Sequence, residues 1–199
     1  MEEKNLTEQE SLMIIQQMIN TAKHEQKDNG MGWILWGWLL FLVSLLTYIN
    51  LFTHWFSTYY FWSYFGILSL LLILYSVFKY YFFRKKERAR TYTGELFQKL
   101  NVGFFISIMF IIFSMNTGLE PMKGFPLLIG LYGFWILIYG TALDFKPSII
   151  AAYITWACGF AAFFVKSFDW VMVLHAAAVL FGYIIPGHIA YGEFKKLNR

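Results

Sequence analysis

Apolar residues in this chain come in blocks of about twenty, and the charged residues stand between the blocks. At 1.5 Å of rise per residue, a block of that length spans roughly the 30 Å of a bilayer's hydrocarbon. Six blocks are read: about 31–51, 59–80, 101–118, 126–143, 147–165 and 170–190. Only 14% of the residues are charged and 58% are hydrophobic, against roughly 25% charged in soluble domains. A water-soluble fold of 199 residues would have to leave much of this apolar surface exposed. The expected fold is all-α: a bundle of six transmembrane helices with an amphipathic helix before the first.

The breaks between blocks carry helix punctuation. Asn50 to Ser57 is a short aromatic connection, Arg84 to Asn101 is the longest polar one, and Gly118 to Gly124 is rich in turn formers. Asp144-Phe145-Lys146-Pro147 ends one helix and opens the next, because proline suits a first helical turn. Lys166-Ser167-Phe168-Asp169 is a tight loop in which Asp169 is expected to cap the last span. Pro186-Gly187 is expected to kink or end that span. Connections this short make successive spans antiparallel neighbours.

Orientation follows from the cations. Of the 16 Lys and Arg, 14 fall on the side of the N-terminal segment, the Arg84–Asn101 connection and the C-terminal tail; Lys123 and Lys166 are on the other. The positive-inside rule then places both termini in the cytoplasm. The expected organisation is a cytoplasmic helical segment over residues 1–30, a six-span domain over 31–192 and a basic cytoplasmic tail over 193–199. The first apolar run starts near Trp33, behind an acidic and polar start, so it is expected to be an uncleaved first span and not a signal peptide. Trp33, Trp36 and Trp38 at one end, and Trp55, Tyr59, Tyr60, Trp62 and Tyr64 at the other, read as interfacial aromatic belts.

In the N-terminal segment, Thr7 and Glu10 have the spacing of a capping box, and Leu12, Ile15 and Ile19 fall on one helical face. The opposite face has no Lys or Arg until Lys23, which favours packing against protein over lying on lipid. The occupant is either this chain's inner face, a cytosolic protein or a second copy paired through residues 7–22. Arg84, Lys85, Lys86, Arg88 and Arg90 form a basic run suited to anionic lipids at the cytoplasmic face, or to an acidic partner. The net charge of +4 is explained by topology, so nucleic acid is not an expected partner.

Chemistry-bearing residues are few. Every Asp and Glu lies in a tail, a connection or a helix end, which weighs against a proton-coupled or cation-coupled carrier. His175 is the strongest intramembrane candidate, about six residues into the last span, with Ala178 and Gly182 on its face. Either it is a neutral ring bonded to a carbonyl or a hydroxyl such as Thr155, or it is a proton relay or a metal or haem ligand. His188 lies about 20 Å further along the helix, too far to share a metal. His24 and His54 have no ligands at metal spacing. Cys158, the single cysteine, reads as a small core residue. No nucleophile–base pair, catalytic motif or cofactor motif is present, so neither an enzyme nor a resident cofactor is expected.

Glu10 to Ile19, Trp36-Gly37-Trp38, Phe145-Lys146-Pro147 and the ending Ile185-Pro186-Gly187-His188 together resemble small polytopic proteins of the bacterial inner membrane whose activity is uncharacterised. The resemblance covers nearly the whole chain. It implies a compartment, the bacterial cytoplasmic membrane, and no catalytic residue. Two functions fit: an interaction or regulatory membrane protein with a cytoplasmic docking face, or a small transporter or channel for an apolar or lipidic substrate with a cavity near His175.

Overall fold

The computed structural model describes residues 30–82 and 92–197, together with positions 9, 12 and 13. Every element among them is helical. In chain order they are α1 (Met31–Thr53), α2 (Tyr60–Phe82), α3 (Tyr92–Thr117), α4 (Pro121–Ala142), α5 (Lys146–Phe164), α6 (Phe168–Val179), a π turn (Leu180–Ile184) and α7 (Ile185–Leu197). Among the described residues, five stretches are long and apolar enough to cross a membrane: Met31–Thr53, Lys99–Thr117, Pro121–Ala142, Lys146–Phe164 and the continuous Phe168–Lys196. By length and composition these suggest a multi-pass membrane protein. The expected second span coincides with α2, whose described apolar stretch is Tyr60–Leu72.

α1, α4, α5 and the last span, made of α6, the π turn and α7, form the dense part of the molecule. α1 lies along α6, the π turn and α7, while α5 packs against both α4 and α6. The outer two helices are attached differently. Among the described residues, the α2 backbone lies against α1 alone, the α3 backbone lies against α4 alone, and the α2 and α3 backbones do not approach each other.

Small residues set the closeness of the dense part. Gly30, at φ +69°, sits where a side chain would meet the Gly187 carbonyl oxygen at 2.7 Å. A methyl group at Gly37 would meet Ile184 Cγ1 at 2.8 Å, and one at Gly182 would meet Thr155 Oγ1 at 2.6 Å. Between α4 and α5, Gly133 makes room for the Trp156 indole, whose Nε1 donates to the Gly130 carbonyl at 2.8 Å. Ser148 Oγ donates to the Ile136 carbonyl at 3.2 Å within the same hairpin. In hydrocarbon, close backbone approach and interhelical hydrogen bonds replace much of the hydrophobic driving force.

Several boundaries differ from those expected. α3 starts at Tyr92, so part of the expected polar connection is helix and Lys99 lies inside it. α4 starts at Pro121, with proline at its first position, and takes Pro126 into its body. Ser167 is the N-cap of α6 and makes no side-chain capping bond, so Asp169 sits in the first turn.

Pro186-Gly187 does not end the last span; the helix runs on to Leu197. A proline inside a helix lacks its N–H, and its ring presses on the carbonyl four residues back. Here the turn before it is widened, so that the Ile185 N–H reaches back to the Leu180 carbonyl, a five-residue step. One widened turn absorbs the misfit, and the helix continues.

Candidate intramembrane site around His175

The polar residues of α1 define where the site lies. Ser44, Thr47 and Asn50 are all buried, on one face with Gly37 and Leu40. Thr47 Oγ1 donates to the Val43 carbonyl at 2.8 Å, so its hydroxyl is spent on its own helix. Asn50 clamps the next connection: its amide donates to the carbonyls of Phe56 at 3.1 Å and Ser57 at 3.2 Å, and its Oδ1 accepts from Phe56 N–H at 2.9 Å. Ser44 is different because it reaches another helix. Its Oγ lies 2.7 Å from the Leu40 carbonyl and 2.8 Å from His175 Nδ1.

That pair of distances favours one tautomer. A serine hydroxyl has one proton, and the Leu40 carbonyl can only accept. Ser44 therefore gives its proton to Leu40, and Nδ1–H of His175 donates to Ser44 Oγ. In a neutral ring the proton on Nδ1 leaves Nε2 as a bare acceptor. His175 Nε2 is buried, and among the described residues no group bonds it.

The walls around the imidazole are aromatic and come from two further helices. Trp62 of α2 lies 5.3 Å away, centroid to centroid, at 87°. Phe125 and Tyr132 of α4 each lie at 5.7 Å, at 88° and 71°. Trp62 Nε1 is itself buried without a hydrogen-bond partner. One aromatic box thus holds a bare acceptor and an unpaired donor, contributed by α6 and α2. Leaving such a buried group unpaired costs about 1–3 kcal/mol.

His175 and Thr155 are both fully buried but do not bond each other. Thr155 Oγ1 lies 2.8 Å from the Ala151 carbonyl and 3.4 Å from the Ala178 carbonyl, behind Gly182 and away from the imidazole. Ser44 takes the role expected of Thr155. Trp62, expected in an interfacial belt, turns inward to the box. Ser44, Trp62, Phe125 and Tyr132 carry no motif; the seven-residue step from Gly37 to Ser44 was the one available signal.

The other candidate residues are dispersed. His188 and His54 are exposed, and Cys158 is half-buried. Leu12 is helical and exposed, as is Met13 beside it. Ile15, Ile19, Arg84, Lys85, Lys86, Arg88 and Arg90 lie outside the described residues, as does most of the expected amphipathic helix. Among the described residues, no group of three or more His, Cys, Asp or Glu is placed to hold a metal ion. The chain matches no known protein family, no curated protein and no solved structure.

Proposed function

We propose that this chain is a six-span protein of the bacterial cytoplasmic membrane, with both termini inside, that acts as an interaction or regulatory component through its cytoplasmic face. The observation that carries this reading is the asymmetric attachment of its helices. The basic run Arg84–Arg90 joins α2 to α3 in sequence, the two helices whose backbones each come close to a single neighbour and not to each other among the described residues. A partner that binds the basic run can shift these two helices without breaking the seam between α1 and α6. The exposed Leu12 and Met13 add an apolar element to the same face. Anionic lipid is the default neighbour of the run, at about 1 kcal/mol per basic residue.

The test is affinity purification from native membranes in mild detergent, comparing the full chain with one lacking residues 1–24. A stoichiometric protein lost with the truncation, or loss of self-association, is the expected result. Unchanged association in both forms overturns the reading.

The unpaired groups around His175 favour a second reading, a small transporter or channel for an apolar or lipidic substrate. In that case His175→Ala, inserted normally, changes ligand flux in proteoliposomes. Unchanged flux removes it.

A further inference from the structure

Several polar side chains in the helices are engaged: Ser44, Thr47, Ser107, Ser114 and Thr155 donate to carbonyls of their own helices, and Trp156 donates to a neighbouring helix. Among the described residues three buried side-chain atoms lack a partner, Ser69 Oγ, His175 Nε2 and Trp62 Nε1, and the last two belong to rings whose centroids lie 5.3 Å apart. One is an acceptor and the other a donor. The group that satisfies both must give one hydrogen bond and take one.

We infer that the aromatic box binds the hydroxyl group of a lipophilic alcohol, which donates to His175 Nε2 and accepts from Trp62 Nε1–H. A hydroxyl carries one proton and accepts through oxygen, so both bonds are made by a single atom. Its carbon chain then suits the rings of Phe125, Tyr132 and Trp62. Water offers the same hydroxyl chemistry but has a second O–H, which would point at aromatic carbon; buried waters ordinarily make about three hydrogen bonds. A carboxylate or an ammonium ion would bring an uncompensated charge into the site.

The approach is from the lipid. Among the described residues, the backbones of α2 and α3 do not come close to each other. Their inward faces, through Trp62 and Phe104, touch the same helix α4 at Phe125 and at Tyr132 and Trp135. A chain lying between α2 and α3 therefore runs along α4 toward the box, and most other large side chains of the pair, such as Leu71, Leu74, Phe110 and Phe113, are turned outward. The inference concerns what occupies the box. It stands whether or not the cytoplasmic face docks a partner.

The experiment uses the full chain with ¹⁵N-labelled histidine in phosphatidylcholine nanodiscs, with the His175 signals assigned by their loss in His175→Gln. Before any addition, Nδ1 carries the proton and Nε2 gives the signal of a nitrogen without a hydrogen bond. Titration with 1-decanol is expected to move Nε2 upfield and saturably, while decane does not. Trp62→Phe, in which an unchanged Nδ1 signal reports an intact Ser44 contact, weakens the alcohol by about five- to tenfold through loss of one hydrogen bond. A Nε2 already hydrogen-bonded in alcohol-free nanodiscs and indifferent to decanol identifies water as the occupant and overturns the inference. A proton found on Nε2, a titration without response, or full affinity in Trp62→Phe overturns it equally.

Discussion

The seam between α1 and the last span and the outer pair α2 and α3 use many of the same residues, with opposite effect. Both contain glycine, serine and large aliphatic side chains. In the seam, Gly30, Gly37 and Gly187 sit where a methyl group would strike a neighbour, Gly182 does the same on the side of the last span that faces α4 and α5, and Ser44 reaches across to His175. In the outer pair, a methyl group at Gly66 or Gly103 would meet nothing within 4 Å, and Ser107 bonds only the carbonyl four residues back in its own helix. A small residue therefore has no packing meaning by itself. Its meaning comes from the backbone opposite, and that is what separates a fixed part of this molecule from one free to respond.

The largest expected effect comes from filling the seam. Gly37→Leu forces a side chain into Ile184 and Tyr183 across the seam, and Gly182→Leu forces one into Thr155 and Ile136 on the opposite side of the last span. Each is expected to destabilise the bundle by about 1–3 kcal/mol or more, since overpacking moves side chains off their rotamers and shifts backbones. Gly66→Leu and Gly103→Leu are expected to stay within about 0.5 kcal/mol. Reversible unfolding in mixed micelles reads the difference. Equal effects in both pairs would erase the contrast between seam and outer helices.

Ser44→Ala comes next, with Ser107→Ala as its counterpart. The first leaves His175 Nδ1–H without an acceptor in the core, and interhelical hydrogen bonds in membranes average about 0.6 kcal/mol with a maximum near 1.7. A loss near the upper end of that range is expected, because the donor left behind is fully buried. Ser107→Ala removes a hydroxyl from an exposed position and is expected to change nothing measurable. If the two alanines behave alike, the Ser44–His175 bond does not hold the seam together.

This contrast also marks how far the sequence could be read. Five of the six apolar blocks fall on helices long and apolar enough to cross a membrane, because length and the absence of charge are local properties; the block at 59–80 falls on α2, whose described apolar stretch is shorter. The face of His175 was legible from Ala178 and Gly182, which are buried beside it. Its partner was not. Thr155 and Ser44 are both hydroxyls on apolar helices, and choosing between them requires knowing which helix lies opposite. Nor does Trp62 differ in sequence from its neighbours in an aromatic cluster; only the placement of α2 turns it toward the imidazole. The π turn left a trace at Pro186 but no sign of how the misfit is absorbed, since widening a turn changes no residue type.

Asn50→Ala gives the smallest effect on global stability and the sharpest local one. Asn50 closes α1 by three bonds to Phe56 and Ser57, across a connection whose first residue, His54, sits in the left-handed region at φ 53°. A non-glycine residue held there needs support from its surroundings. With the amide gone, the Phe56 N–H and two carbonyls lose their partners, but they lie near the end of the helix, where water can replace them. Midpoint stability is therefore expected to fall by less than about 1 kcal/mol. Hydrogen exchange at Phe56, in contrast, is expected to accelerate by an order of magnitude or more, because its protection rests on one side-chain oxygen. The connection also carries α2 toward the box, through Tyr59 on Phe168 and Trp62 on His175. If loosening it also weakens alcohol binding, the seam and the outer helices communicate through this loop; if exchange rises while binding is unchanged, Trp62 is positioned by the box itself.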